Sequence, residues 1–367
     1  MRGLLAALVL LVITPVKAAD APRFQVDAAW PKPLPNNWIM GQAAGVAVDG
    51  EDHVWVVQRP RTLTDDEKAA SLNPPRSKCC VAAPPVMEFD QDGNLLRAWG
   101  GKGEGYDWPQ NEHGIYVDAK GFVWLAANGE NDGQILKFTR DGKFVLQIGK
   151  QGPQTNSLDT TRLGRPANMT VDATTNELYV ADGYANHRII VFDADSGAFK
   201  RMWGAYGKPP TDEKVPPYSP SAEPSPQLSN VHCVRIARDG LVYVCDRTNN
   251  RIQVFRKDGT FVKEMFVEKA TLGAGAIWDL ELWPDENESF LLNADGSNNE
   301  VRILTRDSGS TVASFGRNGR MAGDFHWIHY FALDSKGNVF TTEVDNGKRA
   351  QKFLFKGDTV LRKRSAN

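Results

Sequence analysis

The chain has 367 residues, 41% hydrophobic, 24% charged and 10% aromatic, with 33 Gly, 21 Pro, 10 Trp and only 4 Cys. That composition excludes a disordered, collagenous or disulfide-scaffold chain. A formal charge of −2 excludes a generally basic nucleic-acid binder and leaves no acidic tail to explain.

Residues 1–18 read as a signal peptide. Arg2 precedes an apolar run from Leu4 to Ile13, and Val16-Lys17-Ala18 is a small-residue cleavage pattern. The run is too short to span a bilayer, and no later segment reaches the roughly 20 apolar residues a spanning helix needs. The expectation is a secreted or periplasmic protein, a monomer without a membrane span, with a mature charge of about −4. Residues 19–40 read as an N-terminal extension and 41–367 as one domain.

Within that domain a short phrase recurs six times. It is clear in Gly45-Val46-Ala47-Val48-Asp49, Gly114-Ile115-Tyr116-Val117-Asp118 and Asn168-Met169-Thr170-Val171-Asp172. Weaker copies run Cys233–Ala237, Asp279–Trp283 and Tyr330–Asp334. Each leads through a turn into a second alternating strand, such as His53–Val57 or Val242–Cys245. Third and fourth strands follow, as in Arg188–Phe192 then Phe199–Trp203. Period-2 alternation broken by Asp-Gly turns is a strand-and-hairpin signature. Four strands per repeat predict an all-β, six-bladed propeller with four antiparallel strands per blade.

Hairpin geometry sorts the connections between two rims. Tight turns such as Asp141-Gly142 and Asp258-Gly259 fall on one. Long loops, Arg59–Pro85 and the proline-rich Gly204–Asn230, fall on the other, the expected working face.

The residue just before each phrase starts the innermost strand and faces the central channel. From blade one to blade six it reads Ala44, His113, Ala167, His232, Trp278, His329. Half of the six histidines therefore occupy one position, in alternate blades, at roughly threefold spacing. Three neutral imidazoles with an open fourth position are the geometry of a catalytic zinc site. The ends of the second strands bring Arg59, Tyr184 and Arg247 to the same rim. Two guanidiniums there could clamp a carboxylate, and a phenol beside a divalent cation could act as a general base.

Several segments resemble peptidyl-α-hydroxyglycine α-amidating lyases built on NHL-type propellers. Glu112-His113-Gly114-Ile115, Val231-His232-Cys233-Val234 and Ile328-His329-Tyr330-Phe331 resemble that family's zinc-ligand segments. The stretch from Ala181 to Ile189 is similar to the one carrying its catalytic tyrosine. Gly41–Asp49, running on to Gln58-Arg59, and Cys245–Gln253 are similar to those carrying its two active-site arginines. The resemblance implies zinc on His113, His232 and His329, Tyr184 as base, and Arg59 and Arg247 on the carboxylate of a small-molecule or peptide-derived substrate whose C–N bond is cleaved. It also implies a structural calcium on backbone carbonyls matching Val46 and Ile115, plus an aspartate after the third histidine. Here that residue is Tyr330, which puts calcium in doubt. Two family disulfides are missing, since the matching positions include Ala185, Tyr243 and Val254.

Two other readings fit the repeats: a non-catalytic propeller binding a protein or glycan on its long-loop rim, and a metal-dependent hydrolase or lactonase. The latter usually holds calcium on hard oxygens, where this chain has His, Ala and Trp. Cys79-Cys80, in the blade-one loop, reads as an oxidised pair, a soft-metal site or part of a lid. Cys233 and Cys245 read either as a cross-strand disulfide or as two buried thiols. Trp278 and Trp327 read as substrate-stacking rings or as plugs between blades. His53 is expected on a turn surface, and His326 beside the metal ligands.

Overall fold

The computed structural model describes residues 21–358 and Leu361. The expected signal peptide and the basic run Arg362-Lys363-Arg364 lie outside them. Six four-stranded antiparallel sheets are arranged as the blades of a propeller. Blade one is Gln42–Val48, Val54–Arg59, Val86–Phe89 and Leu95–Trp99, and blade two Glu112–Val117, Val123–Ala127, Gln134–Phe138 and Phe144–Gly149. Blade three is Asn168–Asp172, Glu177–Asp182, Arg188–Asp193 and Phe199–Trp203, and blade four Val231–Ile236, Val242–Asp246, Arg251–Phe255 and Phe261–Phe266. Blade five is Asp279–Leu282, Phe290–Asp295, Glu300–Thr305 and Thr311–Phe315. No helix among the described residues is long and apolar enough to cross a membrane.

Blade six draws its strands from both sides of residue 41. Its inner strands, Ile328–Leu333, Val339–Glu343 and Arg349–Phe355, come from the C-terminal part of the domain. Its outer strand, Phe24–Asp27, comes from the segment read as an extension, with Phe24 paired to Phe355 and Asp27 to Lys352. Joining the two ends in one sheet closes the ring and covers an edge that would otherwise be free to pair with another chain. The intervening Trp30 is buried against Phe89 and Phe340, so this segment seals the seam between blades one and six.

The core is divided between neighbouring blades. Six apolar layers each join residues of two adjacent sheets: Trp55, Val57, Val123 and Leu125 between blades one and two, for example, and Tyr179, Val191, Val244 and Phe255 between three and four. Central strands are therefore buried on both faces, as in Val54–Arg59 and Val242–Asp246. Each fully buried Val, Leu or Phe contributes roughly 1.5–3 kcal/mol, and a charge at Val244 would enter a closed layer. The Asp-Gly turns join this packing. Gly142, at φ +82°, lies against the indole of Trp99, and Gly259, at φ +92°, against Trp203. A Cβ at either glycine would collide with the ring of the preceding blade, beyond the cost of the left-handed backbone.

Candidate metal centre

The innermost strands share an irregularity at the channel-facing position. In blade four Val231 pairs with Asp246 and Cys233 with Cys245, which leaves His232 as the extra residue of a bulge. The same shift surrounds His113, His329 and, in blade one, Ala44. A bulge takes one residue out of the ladder and re-aims its side chain. Here it turns alternate imidazoles toward one another, facing backbone carbonyls of the blades between them.

Those carbonyls hold the histidines. Nδ1 of His113 donates to the Ala167 carbonyl at 2.8 Å, that of His232 to Trp278 at 2.5 Å, and that of His329 to Ala44 at 2.6 Å. Ala167, Trp278 and Ala44 occupy in blades three, five and one the place the histidines occupy in two, four and six. With Nδ1 spent as a donor, the lone pair of each ring sits on Nε2. Ring centroids are 5.0, 4.7 and 5.0 Å apart, nearly an equilateral triangle. The three rings are buried, and burial pushes each well below the ordinary histidine range. Charge reinforces this: the other two imidazoles for His113, Arg247 for His232 and Arg59 for His329. Neutral, convergent imidazoles without a carboxylate fit zinc far better than calcium or magnesium.

Tyr184 caps the triangle. Its hydroxyl is 2.9 Å from His113 Nε2 and 3.1 Å from His232 Nε2, and it accepts from Arg247 Nη1 at 3.2 Å. The turn carrying it is organised by buried Asp182, which accepts from the Gly164 amide, Asn186 and Arg188. Asp246 repeats this role in blade four with Ser229, Asn249 and Arg251. Arg247 is thus free of its neighbouring aspartate. Its Nε donates to the Ala274 carbonyl at 2.8 Å, and its guanidinium lies 3.6 Å from the Trp278 ring centroid. Arg59 donates to the Glu112 carbonyl and to Gln42. Burial lowers its pKa to about 10, so it stays cationic at neutral pH.

Tyr330 lies beside the triangle and is fully buried. Its ring stacks on His232 at 5.0 Å, and its hydroxyl donates to the His232 carbonyl at 2.8 Å. Burial pushes this phenol well above its ordinary pKa, so the position that the resemblance gives to a calcium-binding carboxylate carries a neutral group. That does not suit calcium. Arg235 and Asp279 form a buried ion pair nearby, and burial raises Asp279 to about 7 despite its partner. The opposite mouth is a cavity of about 530 Å³ edged by Asp49, Asp118, Asp172 and Asp334. These carboxylates are committed to their own turns, as Asp118 is to Lys120, Phe122 and Trp124.

The other expectations divide. Trp278 is buried wall, whereas Trp327, packed edge-on against it, is 38% exposed. His53 is not a free turn residue: it bonds Glu88 at 2.9 Å, in a cluster with Asp49 that Arg140 bridges. His326 pairs with exposed Asp345 rather than with the trio. Cys233 and Cys245 form a cross-strand disulfide, and Cys79 and Cys80 a vicinal one in the blade-one loop. Sequence reasoning missed Arg165. Its guanidinium lies 5.8 Å from the Tyr184 ring centroid, and its place two residues before the channel position of blade three was the only signal.

Fold and repeats together define a six-bladed propeller carrying NHL repeats, the NHL repeat family matching residues 163–192 and 228–255. The chain is 29% identical over 249 residues to NHL repeat-containing protein 3 of Mus musculus, a match covering 65% of this chain and 58% of that protein. It is 25% identical over 239 residues to a probable peptidyl-alpha-hydroxyglycine alpha-amidating lyase of Caenorhabditis elegans, covering 64% and 61%. It therefore spans less than two thirds of these relatives. A solved streptogramin B lyase shares the fold, with a TM-score of 0.54 at 14% identity, over 93% of this chain and 100% of that one.

Proposed function

We propose that this protein is an exported zinc-dependent lyase of the amidating-lyase type, cleaving the C–N bond of a small carbinolamide that bears a carboxylate. The observation that carries this reading is the Tyr184 hydroxyl within hydrogen-bond reach of two imidazole nitrogens and of Arg247. His113, His232 and His329 would hold zinc, which when bound supplies Lewis-acid polarisation of the substrate hydroxyl. Arg59 and Arg247 orient the carboxylate through guanidinium hydrogen bonds. Tyr184 takes the hydroxyl proton. The O–H electron pair becomes the second bond of an aldehyde carbonyl, the C–N bond breaks, and the nitrogen regains a proton. The products are an amide and glyoxylate, with no net oxidation or reduction.

The test is to load the purified protein with zinc, supply an α-hydroxyglycine amide and measure glyoxylate. Release that disappears in His232→Ala together with the bound metal supports the reading. A protein that retains zinc yet releases no glyoxylate is not this lyase. One that takes up no zinc has structural histidines, which favours the non-catalytic propeller.

A further inference from the structure

Three guanidiniums, not two, reach the site. Arg61, Arg188 and Arg251 nearby spend their charge on Glu112, Asp182 and Asp246. Arg59, Arg165 and Arg247 have no carboxylate within ion-pair distance among the described residues; they donate instead to carbonyls, the Gln42 amide oxygen and the Tyr184 hydroxyl. Positive charges gathered around one phenol repel one another, and an anion relieves that repulsion.

Arg165 is held on purpose. Its backbone has φ +60°, a left-handed conformation uncommon outside Gly and Asn. Such a residue persists where its surroundings fix it, and here both ends are fixed. Its amide donates to the Asp132 carbonyl at 3.1 Å and its Nε to the Asn128 carbonyl at 2.9 Å. With Nε spent, Nη1 and Nη2 have no hydrogen-bond partner among the described residues. Arg247 meets Tyr184 at its hydroxyl and Arg165 lies over its ring, so the phenol separates two cationic groups.

Resting on the lyase reading, in which Arg59 and Arg247 share one carboxylate, we propose that Arg165 is a specificity-determining residue for a second carboxylate. The substrate class is then dicarboxylic, a carbinolamide with an additional acidic group on its amide side.

Calorimetric titration of the zinc-loaded protein with acetate, succinate, glutarate and adipate tests this without turnover. At least one dicarboxylate should bind tenfold or more tighter than acetate. In Arg165→Gln that advantage should vanish while acetate affinity changes less than twofold. Arg165→Lys should recover part of it, as a point charge without the planar fork. Dicarboxylates no tighter than acetate, or an advantage that survives Arg165→Gln, overturn the assignment. If acetate binding is then still lost in Arg247→Gln, the single-carboxylate reading stands. If acetate fails to bind, or ignores Arg247→Gln, both fall.

Discussion

Nδ1 of His113 donates to the backbone oxygen of Ala167, 2.8 Å away, and Ala167 holds in blade three the place that His113 holds in blade two. Each imidazole is thus steadied by the next blade through a group that no side-chain substitution removes. The alternation of His with Ala, Trp and Ala is an alternation of imidazoles and the carbonyls that support them.

Gly114 makes this relationship testable from the backbone side. A Cβ there would stand 2.5 Å from the Ala167 carbonyl oxygen. Gly114→Ala should therefore displace the support of His113 and weaken zinc binding about 10- to 100-fold, the usual cost of losing an outer-shell partner. Competition with a chromophoric chelator reads this directly; unchanged affinity would mean the carbonyl does not matter.

Stability should follow the metal. A ligand that binds only the folded state stabilises it by mass action, about 4 kcal/mol at a thousandfold excess over Kd. A chelator should lower the melting temperature of the wild type and leave that of His329→Ala where it was. Equal shifts in both would place the stabilising metal elsewhere.

Tyr184→Phe removes one oxygen from a site that otherwise keeps its charges. Glyoxylate release should fall by roughly 10²- to 10⁴-fold, the span of general acid–base contributions, with zinc content unchanged. Full activity in this variant would remove Tyr184 from the chemistry.

The disulfide between Cys233 and Cys245 braces the strand pair that begins at Val231 and carries His232, with Cα atoms 4.9 Å apart. Replacing both cysteines by serine should cost about 2–4 kcal/mol in denaturant unfolding, and should loosen zinc as well. A stability loss with intact zinc affinity would confine the bond to the blade.

Acid sensitivity should arise in the channel, where the three histidines stay neutral while their unfolded counterparts charge below about 6.5, and also away from it. Glu177 is held down to about 2, chiefly by hydrogen bonding from Arg201, against the partial burial that opposes it. A carboxyl with a depressed folded-state pKa stabilises the protein above its unfolded value, near 4.5, and that stability drains away as pH falls toward 2. Glu177→Gln should flatten the melting curve against pH across that window; an unchanged slope would assign acid denaturation to other titrating groups.

Much of this was legible in the chain because a propeller writes its plan locally. Period-2 strands and Asp-Gly turns repeat six times, so a short phrase locates each inner strand, and the equivalence of six positions picks out His113, His232 and His329 as a set. Arg59, Tyr184 and Arg247 followed from counting to the ends of the second strands. The strand Phe24–Asp27 was not legible, because four residues without a turn acquire meaning only when blade six lacks an outer strand. Arg165 was hidden for a similar reason: its reach depends on a left-handed backbone and on a carbonyl of blade two.

The repeat, the blades and the convergence of three imidazoles on one axis can be read along the chain, since these rest on periodicity and symmetry. The tertiary structure decided how the ring closes, which nitrogen of each imidazole faces inward, and which arginines keep their charge unspent. Those outcomes depend on bulges and on carbonyls contributed by the neighbouring blade, contacts between residues 46 to 285 positions apart for the three histidines, which no local pattern encodes.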